Sequence, residues 1–402
     1  MAAAITPKDI RRLIETKGGK AAGAIVQEGL DSKQLKPSEL SIRELAEELI
    51  GHEFVRNCSP RKGGDFLSMT EAADAVSASH FANITGQLVF NAILDASVAD
   101  DYVFSALVPT IPTMFDGEKI PGISGLGDPA LVVKEGEEFP KAGVSETWVE
   151  TPSTTKRGTI VPVTKEAIFF DRTGLLLSRC AQVGEALGLN KEKRAIDCVI
   201  DETVTTHRWK YKGTSIATYG DNSGTHDWDN LAASNTLLDW QSIAAMETLM
   251  AAVTDPETGE PMNTYADTLI VTPQNAPHAY RILNAMHTEM AVPGYATTAN
   301  PTVTRSPSPL GKTPYSGNYQ IVTSRLLAVR MALGTAEPLT SYYLGAPRKA
   351  FAYMENWPIT VVQAPANSSD EFNRDIVAQY KASERGAYTT LNPRYMCKST
   401  VA

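Results

Sequence analysis

Hydrophobic and polar positions alternate with different periods along this chain. Leu176, Cys180, Val183 and Leu187 recur at intervals of four, three and four, and Ala195 and Val199 continue the apolar side. That is the period of an amphipathic helix, and it predicts one long helix over 171–202, started by Asp171 or Thr173 as cap. Gly174, Gly184 and Gly188 are expected to weaken or bend it. Ile243, Met246, Met250 and Val253 line the face of another helix. Asp255–Gly259 reads as a turn, 268–272 as a short buried strand, 275–286 as a helix and 319–323 as a strand, so 236–354 reads as an α/β unit. A further strand is predicted over 358–363. Near the C-terminus the chain reads FNRDIVAQYKASERGAYTTLNPRYM (372–396). Ile376, Ala378 and Tyr380 share one strand face, with Val377, Gln379 and Lys381 on the other. Glu384-Arg385-Gly386 then predicts the corner of a hairpin carrying charge on both arms.

The remaining stretches are less regular. Residues 7–16 predict a short helix, and Ser41-Ile42-Arg43-Glu44 is a capping box ahead of Leu45, Leu49 and Ile50. The mixed-charge segment 1–65 closes on the joint Arg61-Lys62-Gly63-Gly64-Asp65. Helical patterns follow at 70–79 and 84–94. Four glycines and two prolines between 117 and 129 argue against a regular element there. Over 131–160 alternation returns, clearest at Thr147-Trp148-Val149-Glu150-Thr151. Two long strands joined by a turn are expected, with too little apolar surface to anchor both. A lone two-stranded ribbon is marginal in water, so this one is expected to rest on something outside the chain. Residues 291–316, rich in Pro, Thr, Ser and Gly, read as loop.

Composition narrows the class. With 402 residues, 43% hydrophobic and 21% charged, the chain has material for two to three folding units with real cores. A net charge of −9 argues against a dedicated nucleic-acid binder, which carries a basic face. Cys58, Cys180, Cys198 and Cys397 form no Cys-x-x-Cys pair and read as scattered reduced thiols. The N-terminus lacks the pattern of a signal peptide and no apolar run is long enough to span a bilayer, so a soluble, intracellular product with no membrane partner is expected.

No reaction signature emerges, and no catalytic residue, metal ligand or cofactor site is expected. Gly311-Lys312-Thr313 resembles the end of a phosphate loop, but Ser306 stands where its first glycine belongs. Gly122, Gly125 and Gly127 lack the dinucleotide spacing. None of the six histidines pairs at i, i+4, the aspartates 221, 227 and 229 miss the calcium-loop spacing, and Glu135, Glu137 and Glu138 read as a solvated charge run.

The order of these pieces is distinctive. FANITGQLVFNAIL (81–94), DGEKIPGI (116–123), EGEEFPKAG (135–143), RGTIVPVTKEAIFFDRTG (157–174) and the C-terminal charged hairpin together resemble the major capsid protein of tailed bacteriophages, over residues 66–402. The resemblance implies an α+β fold of the Hong Kong 97 type. Residues 1–65 would be a leader or scaffold-like arm, 66–130 the N-terminal arm, and 131–160 an extension loop in the form of a β-hairpin. Residues 161–235 would be a peripheral domain with the long helix as its spine, 236–354 an axial α/β domain, and 355–402 the return strands.

That resemblance implies a structural role: a subunit that forms hexamers and pentamers of an icosahedral shell around double-stranded DNA in the virion. Assembly in the bacterial host cytoplasm follows from it, with portal, scaffold and decoration proteins as partners and only nonspecific contact with DNA. Lys134, Glu135, Glu137, Glu138 and Lys141 on the loop, and Arg374, Asp375, Lys381, Glu384 and Arg385 on the hairpin, are expected to make inter-subunit ion pairs. Charged strand faces set register and partner choice more than affinity. Two other classes fit the same residues: a cellular compartment shell of the same fold (encapsulin-like), separated by the cargo genes beside it, and an enzyme with a distributed site, separated by small oligomers and a deep polar pocket.

Overall fold

The computed structural model describes residues 88–98, 102–122, 132–136, 138, 147–164, 175–201, 208–222, 227–262, 264–284, 287–291, 303–307, 319–333, 338–364 and 376–400. The chain divides into two compact units, one drawn from 1–102, 155–191 and 357–385, the other from 103–154, 192–356 and 386–402. Helix α3 (Leu175–Ile200) and strands β13 (Phe351–Gln363) and β14 (Ile376–Thr390) each contribute residues to both.

In the first unit, α1 (88–97) lies against the N-terminal part of α3. Leu88, Val89, Ala92 and Ile93 of α1 and Cys180 and Leu187 of α3 are buried. The approach is close because α3 offers two glycines. A Cβ on Gly184 would run into the Ile93 carbonyl and lie 3.1 Å from the Ala96 Cβ; one on Gly188 would run into Ser97 and lie 2.7 Å from the Tyr102 ring. Gly184 and Gly188 are thus a seat for a neighbouring helix, and α3 runs unbroken through both. Strand β4 (Thr155–Thr164) is an edge strand beside β14. Ile376, Tyr380 and Ala382 face inward and Lys381 outward, the alternation read from the sequence. The Ala364 N–H donates to the Gln379 carbonyl (2.8 Å), and Thr360 Oγ1 donates to the Ser383 carbonyl (3.2 Å), which sets β13 antiparallel to β14.

The second unit is built on a mixed five-stranded sheet, in the order β11 (Gln320–Thr323), β8 (Thr268–Val271), β12 (Tyr342–Gly345), β15 (Met396–Thr400), β7 (Leu231–Ala233). Both faces are covered, so β8, β12 and most of β15 are buried along their length. Leu269, Val271, Tyr342, Leu344 and Cys397 pack on one side with helices α4 (Trp240–Ala251) and α5 (Ala276–Leu283). Ile270, Tyr343 and Met396 pack on the other with α2 (Val103–Leu107), the C-terminal turns of α3 and α5's successor α6 (Arg325–Leu333). The period of two thus places alternate residues of one strand in two different cores. Buried Glu192 of α3 accepts the N–H groups of Phe104 and Ser105, both at 2.8 Å, and so satisfies the start of α2. A half-buried bidentate pair, Arg330–Asp197 at 2.6 and 2.7 Å, ties α6 to α3.

A smaller sheet in the same unit has the order β2 (Lys119–Gly122), β3 (Thr147–Glu150), β5 (Trp209–Tyr211), β6 (Thr214–Ile216). Its core is Val149, Trp209, Ile216, Trp228 and Val253. Strand β1 (Thr110–Pro112) pairs in parallel with Tyr353–Glu355, and β9 (His287–Ala291) pairs with β10 (Val303–Pro307) as a separate two-stranded sheet.

Four expectations are corrected. Glu384-Arg385-Gly386 makes no corner, because β14 runs through it as one 15-residue strand. Gly386 serves packing there: a Cβ would collide with the Tyr353 phenol and stand 2.7 Å from the Met354 carbonyl oxygen. Among the described residues of the 131–160 stretch, no pairing joins its two arms. Thr147–Glu150 joins β2 and β5 with Thr147 and Val149 buried, and Thr155–Thr164 joins β14, so these residues find partners in their own chain. Lys119–Gly122 forms a strand despite its proline, since an edge position asks no donor of Pro121 on its open side. Val303–Pro307, read as loop, forms β10. The helices read at 7–16 and 70–79, the capping box at Ser41 and the joint at Arg61 lie outside the described residues.

Candidate functional site

The charged residues singled out on the sequence fall in several settings. Lys134, Glu135 and Glu138 are exposed on irregular backbone. Glu137, Lys141, Arg374 and Asp375 lie outside the described residues. Lys381 is exposed on β14. Glu384 is only 2% exposed, because it falls in the strand interior where a corner was expected. Arg385 is half-buried, its guanidinium 5.6 Å from the centroid of the Trp357 ring. The structure therefore keeps Lys381 as an outward charge, and gives Glu384 and Arg385 positions within their own chain.

A second feature was not found from the sequence. The six residues between β1 and β2, Thr113-Met114-Phe115-Asp116-Gly117-Glu118, form a loop tied to its own chain through Thr113, Phe115, Asp116 and Glu118. The Thr113 N–H donates to the Glu355 carbonyl at 2.9 Å, and Thr113 Oγ1 donates to Glu118 Oε2 at 2.6 Å. Asn356 Nδ2 donates to the Thr113 and Phe115 carbonyls at 3.1 and 3.4 Å. Asp116 Oδ1 accepts from the Thr154 N–H and hydroxyl at 2.6 and 3.1 Å. The Glu118 carbonyl accepts from the Thr151 N–H and hydroxyl, both at 2.9 Å. Gly117 supplies the positive φ, +78°, that closes the turn. What this scaffold presents to solvent is Met114, 96% exposed, and Phe115, 66% exposed. The signal in the sequence was there: two adjacent large apolar residues set immediately before an Asp-Gly turn.

The candidate reactive groups are held inert. Burial pushes the Cys180 thiol up to about 11 and the Cys397 thiol up to about 12, and raises Cys198 further still, with Asp201 adding to the effect. Arg394, 2% exposed, has its guanidinium 4.0 and 5.2 Å from the Trp228 and Trp209 ring centroids and donates to the Thr254 carbonyl at 3.1 Å. Burial draws it down to about 10, against the nearby Asp227 and Asp255. Among the described residues there is no cluster of three His, Cys, Asp or Glu able to hold a metal, and no helix is long and apolar enough to cross a membrane. What these residues offer is packing, outward charge and an apolar protrusion.

The family model for phage capsid proteins matches residues 148–399, well over half of the sequence. The chain therefore belongs to the phage capsid protein family: it is a structural protein of the bacteriophage head. Among solved structures it is similar to a chain of Gordonia phage Cozz, at 10% identity and a TM-score of 0.46, over 76% of this chain and 88% of that one. It is similar to a chain of the cyanophage Pam1 capsid asymmetric unit at 10% identity and a TM-score of 0.45, over 73% and 89%. It is also similar to a chain of Mycobacterium phage Ogopogo at 15% identity and a TM-score of 0.42, over 75% and 92%. No curated protein matches the chain.

Proposed function

We propose that this protein is the major subunit of a phage head, assembling with copies of itself into hexamers and pentamers that close an icosahedral shell of the Hong Kong 97 type around double-stranded DNA. The observation that carries the reading is the family match over 148–399. The subunit is assembled in the bacterial host cytoplasm and becomes part of the virion. Portal, scaffold and decoration proteins are its other partners. Its net charge of −9 suits a lining that holds packaged DNA loosely, since phosphate contacts dominate such affinity. Residues 131–160 act as the extension loop. Lys134, Glu135 and Glu138, exposed in the single chain, meet charges on a neighbour, together with Glu137, Lys141, Arg374, Asp375 and Lys381. Many weak contacts of this kind become strong when symmetry closes them.

Negative-stain microscopy of the protein expressed alone, with and without its candidate scaffold, tests the reading. Closed shells, tubes, or rings of five and six subunits support it. A deep polar pocket with turnover of a small substrate, in a protein that forms only small oligomers, would overturn it.

A further inference from the structure

We propose that the 113–118 loop is an assembly knob: Met114 and Phe115 insert into an apolar surface of a second copy of this chain. The proposal rests on the shell reading above and names one contact within it. Single exposed hydrophobic side chains are ordinary. Here two stand side by side on one rigid protrusion, at 96% and 66% exposure. Thr113, Phe115, Asp116 and Glu118 bond to Glu355, Asn356, Thr151 and Thr154 of their own chain, and the loop so held exposes the two apolar side chains. Because those bonds already fix the backbone, docking orders little that is not ordered beforehand, and the entropic cost of binding is correspondingly low. Methionine and phenylalanine are both enriched at the centres of protein interfaces, where burial is complete.

A second copy is the occupant because the same unit exposes apolar material elsewhere. Leu238 is 63% exposed and Tyr280 50% exposed. Arg281, next to Tyr280, donates from Nη2 to the Leu238 carbonyl at 3.4 Å, so the segments that carry the two residues meet. A protrusion at one place on a subunit and a receiving patch at another make a head-to-tail contact, and such contacts close into rings when the rotation allows. The shell reading calls for repeated contacts between copies of this chain.

The test uses the full chain carrying Met114→Ser and Phe115→Ser together. Both positions are exposed, so near-ultraviolet dichroism and the melting temperature are expected to match the wild type. Sedimentation velocity across a concentration series is expected to show the half-assembly concentration rising at least about tenfold. In a second experiment, a photoreactive benzoylphenylalanine replaces Phe115 in an equal mixture of isotopically heavy and light protein. Heavy-to-light crosslinks are expected, landing on the peptides around Leu238 and Tyr280. An unchanged half-assembly concentration, or crosslinks confined to a single chain, overturns the knob while leaving the shell reading in place. A wild-type protein that stays monomeric overturns the shell reading, and the knob with it.

Discussion

Replacing Gly184 by alanine separates two accounts of the long helix by the sign of the effect. On helix propensity alone, a glycine-to-alanine change inside a helix stabilises by about 1 kcal/mol. The structure argues for the opposite. The new Cβ would overlap the Ile93 carbonyl oxygen and come within 3.0 Å of its carbon and 3.1 Å of the Ala96 Cβ. These are backbone atoms and a short side chain, so no rotamer change relieves the clash. To restore an ordinary contact α1 must retreat by about 1 Å, and a gap of that size forfeits roughly a quarter to a half of the local dispersion energy. The element that must shift is α1, whose Leu88, Val89, Ala92 and Ile93 are buried and stand to lose contacts. Overpacking of this kind costs about 1–3 kcal/mol. After the propensity gain, a net destabilisation of about 1–2 kcal/mol and a melting temperature lower by several degrees are expected. Glu185→Ala, on the exposed side of the same turn, serves as control and is expected to shift stability by less than about 0.5 kcal/mol. Calorimetry on the purified variants reads both. A melting temperature that rises in Gly184→Ala would refute the close-packed seam.

Three further outcomes are expected. Glu192→Gln keeps the shape but leaves only one of the two acceptors that now serve the Phe104 and Ser105 N–H groups, so a loss of about 1–3 kcal/mol should appear, with faster hydrogen exchange at those two amides. Arg394→Lys keeps a charge but loses the guanidinium that lies 4.0 Å from the Trp228 ring centroid and 5.2 Å from that of Trp209, and should lower stability by about 1–2 kcal/mol in tryptophan-monitored urea unfolding. The thiols of Cys180 and Cys397, with folded values of about 11 and 12, are protonated at pH 8, and Cys198 lies higher still; site-resolved labelling should find all three blocked in the native protein and reactive in denaturant, with labelling of Cys180 at pH 8 as the refuting result.

The sequence was most legible where a single period persisted. The spacing of Leu176, Cys180, Val183 and Leu187 announced α3, and Cys180, Leu187, Ala195 and Val199 are indeed buried. Strand β8 and helix α4 were readable for the same reason, as was the turn at Asp255–Gly259. What escaped were features decided by distant neighbours. Gly386 looked like a turn because glycine often makes one, but its small size is needed by Tyr353, thirty-three residues earlier, which no local pattern reveals. Gly184 and Gly188 looked like flaws in a helix, when their partners are Ile93 and Ser97. The strand at Thr147–Glu150 looked self-insufficient because its partners, Lys119–Gly122 and Trp209–Tyr211, lie far away on either side. Of the expected contact residues, Lys134, Glu135, Glu138 and Lys381 are exposed where a charge reading needs them, and Glu384 is not, since the strand interior encloses it. The loop at Met114 and Phe115 is held by Thr151, Thr154, Glu355 and Asn356, distant partners that no local spacing reveals.

This polypeptide is expected to associate with its own copies into closed rings and shells. Analytical ultracentrifugation of the purified full chain, from nanomolar to high micromolar concentration, tests it most directly. A fast-sedimenting population of rings or shells is expected, growing with concentration at the expense of the monomer. A single monomer boundary at every concentration would contradict it.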